Sequence, residues 1–537
     1  MREIKAKSFR IGRRGFLATA ALAVSLGSSV LSAPAAAEST ITSVRNAPLR
    51  ALDPVISTAY ILRDYGYMVY DTLLALDANS NIMPQMASWS VSNDGKIYTL
   101  TLRDGLKWHD GTAVTADDCI ASIKRWSQAD KLGQIMASLV TDMKAVDEKS
   151  FTITLSVPSK IVLMALSKPS GVPPFMFPKK VAETPVGTPI TSTIGSGPFK
   201  FVAGEYKPGV QAVFVKNTDY VPRSEPASGL AGGKVVKVDK VRWVSMPDPM
   251  TAVNALLSGE IDSIEQTPHD LLPLLEGNPD FEINVFQKQA TQNLVRLNFT
   301  QPPFDNPKIR KAAALALGQQ ELLDVQVGPG SPYGKTCGAV FGCGSIYESD
   351  YGAADIISPH PEEAKKLLAE AGYDGKPVTL LHTTDIATLN AMGPVLAQQL
   401  RNGGFKVDMV SMDWASVVAR RASKAAPKDG GWNIFSTGNV LPDVGSPLGF
   451  IGVAAGGPAA WFGWPDVPEI EAARAKLART DDLEEAKKIG KDIHKLVIDN
   501  TVMIPMGEIF YVESRSTKLK GEISAEAPVF WNVEKVK

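Results

Sequence analysis

An α/β fold of two or three domains is predicted for this 537-residue chain on three observations. Alternating strand patterns such as Phe151 to Val157 (FTITLSV) are interleaved with amphipathic helical patterns, as in sheets covered by helices. About 500 residues follow the N-terminal leader, more than a single hydrophobic core organises. No later stretch stays apolar over the ~20 residues that span a bilayer, so no membrane-spanning domain is expected.

The leader sets the compartment. Arg2, Lys5, Lys7, Arg10, Arg13 and Arg14 precede an apolar run from Phe16 to Leu31, which is followed by Ala35-Ala36-Ala37. A basic start, an apolar middle and a small-residue end make residues 1–37 an export signal, cleaved after Ala37, rather than a membrane anchor. Arg13-Arg14-Gly-Phe-Leu is similar to a twin-arginine signal, with Gly12 where such signals carry Ser or Thr. No cysteine follows the run, so no lipid anchor is expected. Cleavage leaves 50 basic and 56 acidic residues, a formal charge of −6, and no basic tract for nucleic acid.

Ile97 to Leu102 opens the first well-marked unit, with Tyr98, Leu100 and Leu102 on one face of a half-buried strand. Turns at Asp104-Gly105 and Asp110-Gly111 bracket a short second strand, Leu106 to Trp108. Thr115 then caps a helix, Asp118 adds negative charge to its first turn, and Val114 and Cys119 hold the positions of a hydrophobic staple. Cys119, Ile120, Ile123 and Trp126 continue an apolar stripe, so Cys119 reads as a buried hydrophobe. His109 lacks an orienting third group, so it reads as scaffold and not as a base.

Further along, Asn306-Pro307 opens a helix with Ile309, Ala312, Ala313 and Leu317 inward, and Pro361-Glu-Glu opens another that ends at Gly372. Val378 to Leu381 is a strand. In an oxidising compartment Cys337 and Cys343 of TCGAVFGCG are expected to form a disulfide across five residues. Zinc would need more ligands than the singly scattered His109, His269, His360, His382 and His494 supply. No cofactor is expected.

LRDGLKWHDGTAVTADD, IGSGPFKF, ALLSGEIDSI, LNFTQPPFDNPKIRKAAALAL, PEEAKKLLAEAGYDG and the stretch from Trp464 to Glu508 occur in that order. Together they resemble the extracytoplasmic solute-binding proteins of ABC importers, in the peptide/nickel/opine class (family 5). That resemblance implies a two-lobe periplasmic-binding-protein fold with an extra subdomain and a ligand cleft between the lobes. By analogy the first lobe takes 38–68, 195–285 and a return at 495–537. The subdomain takes 69–194, and the second lobe 286–494. The implied protein is a periplasmic, monomeric, non-enzymatic receptor that hands a small peptide-like solute to an inner-membrane permease and its ATPase.

The resemblance also assigns a site. WNIFSTGNVLPDVGSP, Trp432 to Pro447, matches the strand and loop that face the cleft, and Asp443 matches an aspartate that takes a dipeptide's ammonium group. A charge-assisted bond would offset desolvation there. The arginine that holds the dipeptide carboxylate has no counterpart in HTTDIATLN, which offers Thr384 and Asp385. Either another basic group holds the carboxylate, or the ligand is neutral or cationic at that end. Tyr60, Trp414, Trp432, Trp461 and Trp464 are the expected aromatic walls. Other ligands considered on the same fold are a nickel chelate and an oligosaccharide. Beyond transport, a chaperone or sensor partner is compatible with the fold. A secreted hydrolase would need a Gly-x-Ser-x-Gly or His-Glu-x-x-His motif, and neither occurs.

Overall fold

A computed structural model of the chain describes residues 38–285 and 290–536. The export signal assigned to 1–37 lies outside the described residues.

Three sheets organise the described chain. A seven-stranded sheet runs in the order Phe281–Val285, Val512–Ser516, Ser263–Ile264, Thr40–Val44, Lys240–Val244, Gln211–Lys216, Phe199–Phe201. Its Thr40–Val44 strand is parallel to both neighbours, and the other pairings are antiparallel. A six-stranded sheet follows the order Gly334–Lys335, Ile504–Ile509, Thr291–Leu297, Ile434–Val440, Val378–Thr383, Val407–Met412. The third, Ala87–Val91, Ile97–Leu102, Ser150–Leu155 and Val140–Ala145, lies within the 69–194 stretch expected to form the subdomain.

Local chemistry accounts for the elements that frame the site. In Ile97–Leu102 the residues Tyr98, Leu100 and Leu102 are buried, as their alternation predicts. Thr115 and Asp118 form a full capping box on Ala116–Ala129, each side chain bonding the other's backbone. Asn306 caps Pro307–Ala316 by accepting from the Lys308 N–H at 2.9 Å, and Pro361–Glu370 starts on its proline. The short strand expected at Leu106 to Trp108 is reduced to one bridge, Lys107 to Ala113. The two tight turns leave no room for a longer ladder.

The helix Tyr60–Val69 carries one wall of the site, and the IGSGPFKF segment fixes its far end. A Cβ on Gly195 would lie 1.9 Å from the Val69 carbonyl oxygen, so only glycine permits this approach. Gly197 N–H donates to that carbonyl at 2.9 Å. Gly195 N–H donates to His109 Nδ1 at 3.2 Å, while His109 Nε2 lies 3.1 Å from the Gly197 carbonyl. These backbone partners select the Nε2–H tautomer, and burial pulls the imidazole down to about 4. His109 is therefore neutral scaffold. Cys119 is fully buried, and burial pushes its thiol up.

The return to the first lobe comes later than position 495. The helix Leu483–Asp499 buries Ile489, Ile493 and Val497, its His494 Nδ1 accepts from the Val340 N–H, and Ile504–Ile509 pairs with Thr291–Leu297. The chain joins the first sheet again only at Val512–Ser516. Ladder hydrogen bonds decide which lobe owns a strand, and every residue of Ile504–Ile509 is buried, so burial alone does not assign it.

Candidate functional site

Two small cavities lie side by side in the seam between the large sheets. One, of about 60 Å³, has Asn46, Tyr60 and Gln266 on the first-lobe side and Trp414, Arg421 and Asn439 on the other. The second, of about 70 Å³, reaches from Arg45 and His269 to Asp385 and Thr388. Asn46, Gln266, Ile386 and Tyr511 line both. Larger hollows of about 490 and 590 Å³ are confined to the subdomain and to the second lobe. A ligand enclosed by lobe closure must touch both lobes, so the paired cavities are the candidate site.

Arg421 dominates the first cavity. It closes the helix Trp414–Arg420, which Asp413 caps through the Ser416 N–H at 3.2 Å. Its side chain is 2 % exposed. The guanidinium carbon lies 4.9 Å from the Phe462 ring centre, 5.2 Å from Trp414, 5.5 Å from Trp461 and 5.8 Å from Phe435. It donates to Thr58 Oγ1 of the first lobe at 3.3 Å, and its Nε–H has no protein partner. Burial pulls the guanidinium down to about 9, with no carboxylate opposing the shift.

Arg296 stands on the strand Thr291–Leu297 and stacks 5.4 Å from the same Trp461 ring. Its Nε and Nη1 donate to the carbonyls of Phe462, Gly452 and Val502, and its Nη2 is buried without a partner. Burial again pulls it down to about 9. Trp461 thus sits between two guanidinium groups with no carboxylate on either. Cation–π contact offsets only part of the cost of burying such charges.

Other polar atoms around this cavity are also buried without protein partners: Trp461 Nε1, Asn439 Nδ2 and Asn46 Oδ1. Their gathering around one cavity makes it the candidate place for complementary ligand atoms. Donors and positive charge outweigh acceptors. The set suits an anion joined to an amide.

Asp443 sits behind the wall instead of lining either cavity. Its Oδ2 accepts from Tyr60 Oη at 2.8 Å and Ser170 Oγ at 3.1 Å, and Tyr60 Oη accepts from the Val440 N–H at 2.9 Å. Arg63 donates to Ser170 Oγ at 2.8 Å and stacks 4.4 Å from the Tyr60 ring. Tyr60, Ser170 and Asp443, from three distant parts of the chain, therefore meet on one carboxylate. Burial pushes that carboxyl up, while Lys168, the Tyr60 hydroxyl, Arg63 and Ser170 pull it back.

The other sequence-derived residues divide. Tyr60, Trp414 and Trp461 line the first cavity, and Asp385 lines the second while accepting from the Trp414 N–H at 2.7 Å. Thr384 is exposed, with its Oγ1 donating to the Met412 carbonyl at 3.2 Å. Trp432 is fully enclosed in the second lobe, where its Nε1 donates to the Arg421 carbonyl at 3.0 Å and steadies that residue's backbone. Trp464 lines the outward hollow of the second lobe, with Lys424 5.2 Å above its ring. Cys337 and Cys343 form a disulfide, and the Cys343 N–H donates to Glu508 at 2.8 Å.

Arg421, Asn439 and Asn46 are functional candidates that the sequence reading passed over. The available signals were faint: Arg420-Arg421 at the end of an aromatic-started helix, and Asn439 four residues before the aspartate that drew attention.

A sequence model of bacterial extracellular solute-binding proteins, family 5, matches residues 81–460. The chain is 38% identical over 492 residues to "Probable peptide ABC transporter periplasmic-binding protein y4tO" of Sinorhizobium fredii, covering 91% of this chain and 92% of that one. It is 27% identical over 482 residues to the glutathione-binding protein GsiB of Pectobacterium atrosepticum, covering 88% and 89%. Its fold matches the binding protein AgaA in complex with agropinic acid, from A. tumefaciens R10, with a TM-score of 0.77, 24% identity and coverage of 93% and 99%.

Proposed function

This chain belongs to the bacterial extracellular solute-binding proteins of family 5, receptors of ABC importers, and on that premise we propose that it captures a small peptide-like solute through the solute's carboxylate. Arg421 carries the reading. It is a buried guanidinium facing a cavity walled by both lobes, with its Nε–H unpartnered and aromatic rings around it. A carboxylate placed there supplies the missing charge and acceptors, and closure removes water from the pair. The amide groups of Asn46 and Asn439, one from each lobe, then face the peptide-like part of the solute. The ligands named for relatives, a peptide transporter's cargo, glutathione and agropinic acid, share this chemistry.

The same proposal places the mature protein in the periplasm after cleavage near Ala37, with an inner-membrane permease and its ATPase as partners.

Native mass spectrometry of freshly purified protein identifies the retained solute, and calorimetry then compares the protein with Arg421→Met. Losing one member of a buried charged pair costs about 2–5 kcal/mol, so affinity is expected to fall by roughly thirtyfold to several thousandfold. Unchanged affinity in a folded variant removes Arg421 from the site.

A further inference from the structure

The Arg421 cavity is charged at one residue only. Its walls hold that guanidinium and no acid. Asp443 is off the cavity wall, with its Oδ2 accepting from Tyr60 and Ser170 and its Oδ1 buried without a protein partner. Asp385 belongs to the adjoining cavity and holds the Trp414 N–H. A short zwitterionic peptide brings a carboxylate and, one residue away, an ammonium. With the carboxylate on Arg421, that ammonium would find no carboxylate on the walls of this cavity.

An amide in the same place meets different conditions. Asn46 Oδ1 and Asn439 Nδ2, both buried without protein partners at this cavity, offer an acceptor for its N–H and a donor for its carbonyl oxygen. The sequence comparison suggested the opposite polarity, an acid for the amine and no base for the carboxylate. The folded chain sets a base on the wall of this cavity and keeps Asp443 and Asp385 off it.

We propose that the receptor selects net-anionic amino-acid derivatives whose α-nitrogen is acylated or otherwise not an ammonium, over short peptides with a free amino end, and that Asn439 sets this preference. The proposal rests on the carboxylate reading above. Asn439 is the penultimate residue of the Ile434–Val440 strand, next to the Val440 N–H that Tyr60 holds, so its side chain is fixed at the seam whenever the lobes are closed.

The test is a calorimetric series of isosteric pairs, glycyl-X against N-propionyl-X with X as Leu, Phe, Gln or Glu. Each pair differs only by an ammonium in place of a methyl group. C-terminal amides of the same compounds serve as controls. The expected result is at least about tenfold tighter binding of the propionyl member, loss of binding on amidation, and a reversed preference in Asn439→Asp. Equal or tighter binding of the glycyl member overturns the inference and leaves the carboxylate reading standing. Binding that survives amidation, or no binding by any carboxylate in the series, overturns the carboxylate reading itself. An Asn439→Asp protein with an unchanged order of preference overturns the role given to Asn439.

Discussion

Tyr60→Phe removes one oxygen from the seam and leaves the ring stacked 4.4 Å from Arg63. That oxygen makes two bonds, donating to Asp443 Oδ2 at 2.8 Å and accepting from the Val440 N–H at 2.9 Å. Without it a buried N–H has no acceptor and a buried carboxylate keeps only Ser170 as a hydroxyl donor. Each orphaned group costs about 1–3 kcal/mol, and the cost falls on the closed form alone, because opening the cleft returns both groups to water. A loss of about 2–4 kcal/mol in closure weakens apparent affinity by roughly thirtyfold to a thousandfold. Calorimetry with the retained solute measures this, and small-angle scattering should show a smaller closed fraction at equal ligand concentration. Because the hydroxyl is engaged twice within the protein, the factor should be the same for every ligand. Asp443→Asn combined with Tyr60→Phe should cost less than the two single changes added, with a coupling of about 1 kcal/mol or more. A Tyr60→Phe affinity within threefold of the parent, or additive effects, refutes the idea that this carboxylate latches the lobes. Weakening confined to amine-bearing ligands would instead return Asp443 to ligand contact.

Two further outcomes are expected. His109 titrates near 4 when folded and near 6.5 when unfolded, so the unfolded chain takes its proton first as pH falls. Stability is then full above about 6.5 and declines by roughly 3 kcal/mol toward pH 4. His109→Gln, which keeps one donor and one acceptor, should flatten that part of a melting-temperature profile, and an unchanged slope would place the acid sensitivity elsewhere. Protein recovered from the periplasm should have an N-terminal mass that starts near Glu38, and a chain still beginning at Met1 would contradict the processing.

What the sequence determined by itself was whatever is encoded within a few residues. Thr115 and Asp118 cap a helix because the two side chains reach each other's backbone across one turn. Tyr98, Leu100 and Leu102 share a face because a strand repeats every two residues. Cys337 and Cys343 pair because five residues bring them together. The family, too, was legible, since its segments keep their order along the chain.

Only the tertiary structure decided the polarity of the site. Asp443 and Asn439 are four residues apart on one strand and loop, yet Tyr60, some 380 positions away, lines the cavity while its hydroxyl engages the aspartate. Arg421 looks like any solvent-facing arginine at a helix end until Trp461, Phe462 and Phe435 close over it from two other segments. Likewise the strand Ile504–Ile509 could have served either lobe until its ladder with Thr291–Leu297 formed. Local propensity fixes which way a backbone turns, but burial and pairing depend on atoms contributed from distant parts of the chain. Whether a charge ends up partnered, exposed or left for a ligand is a property of those assembled neighbours.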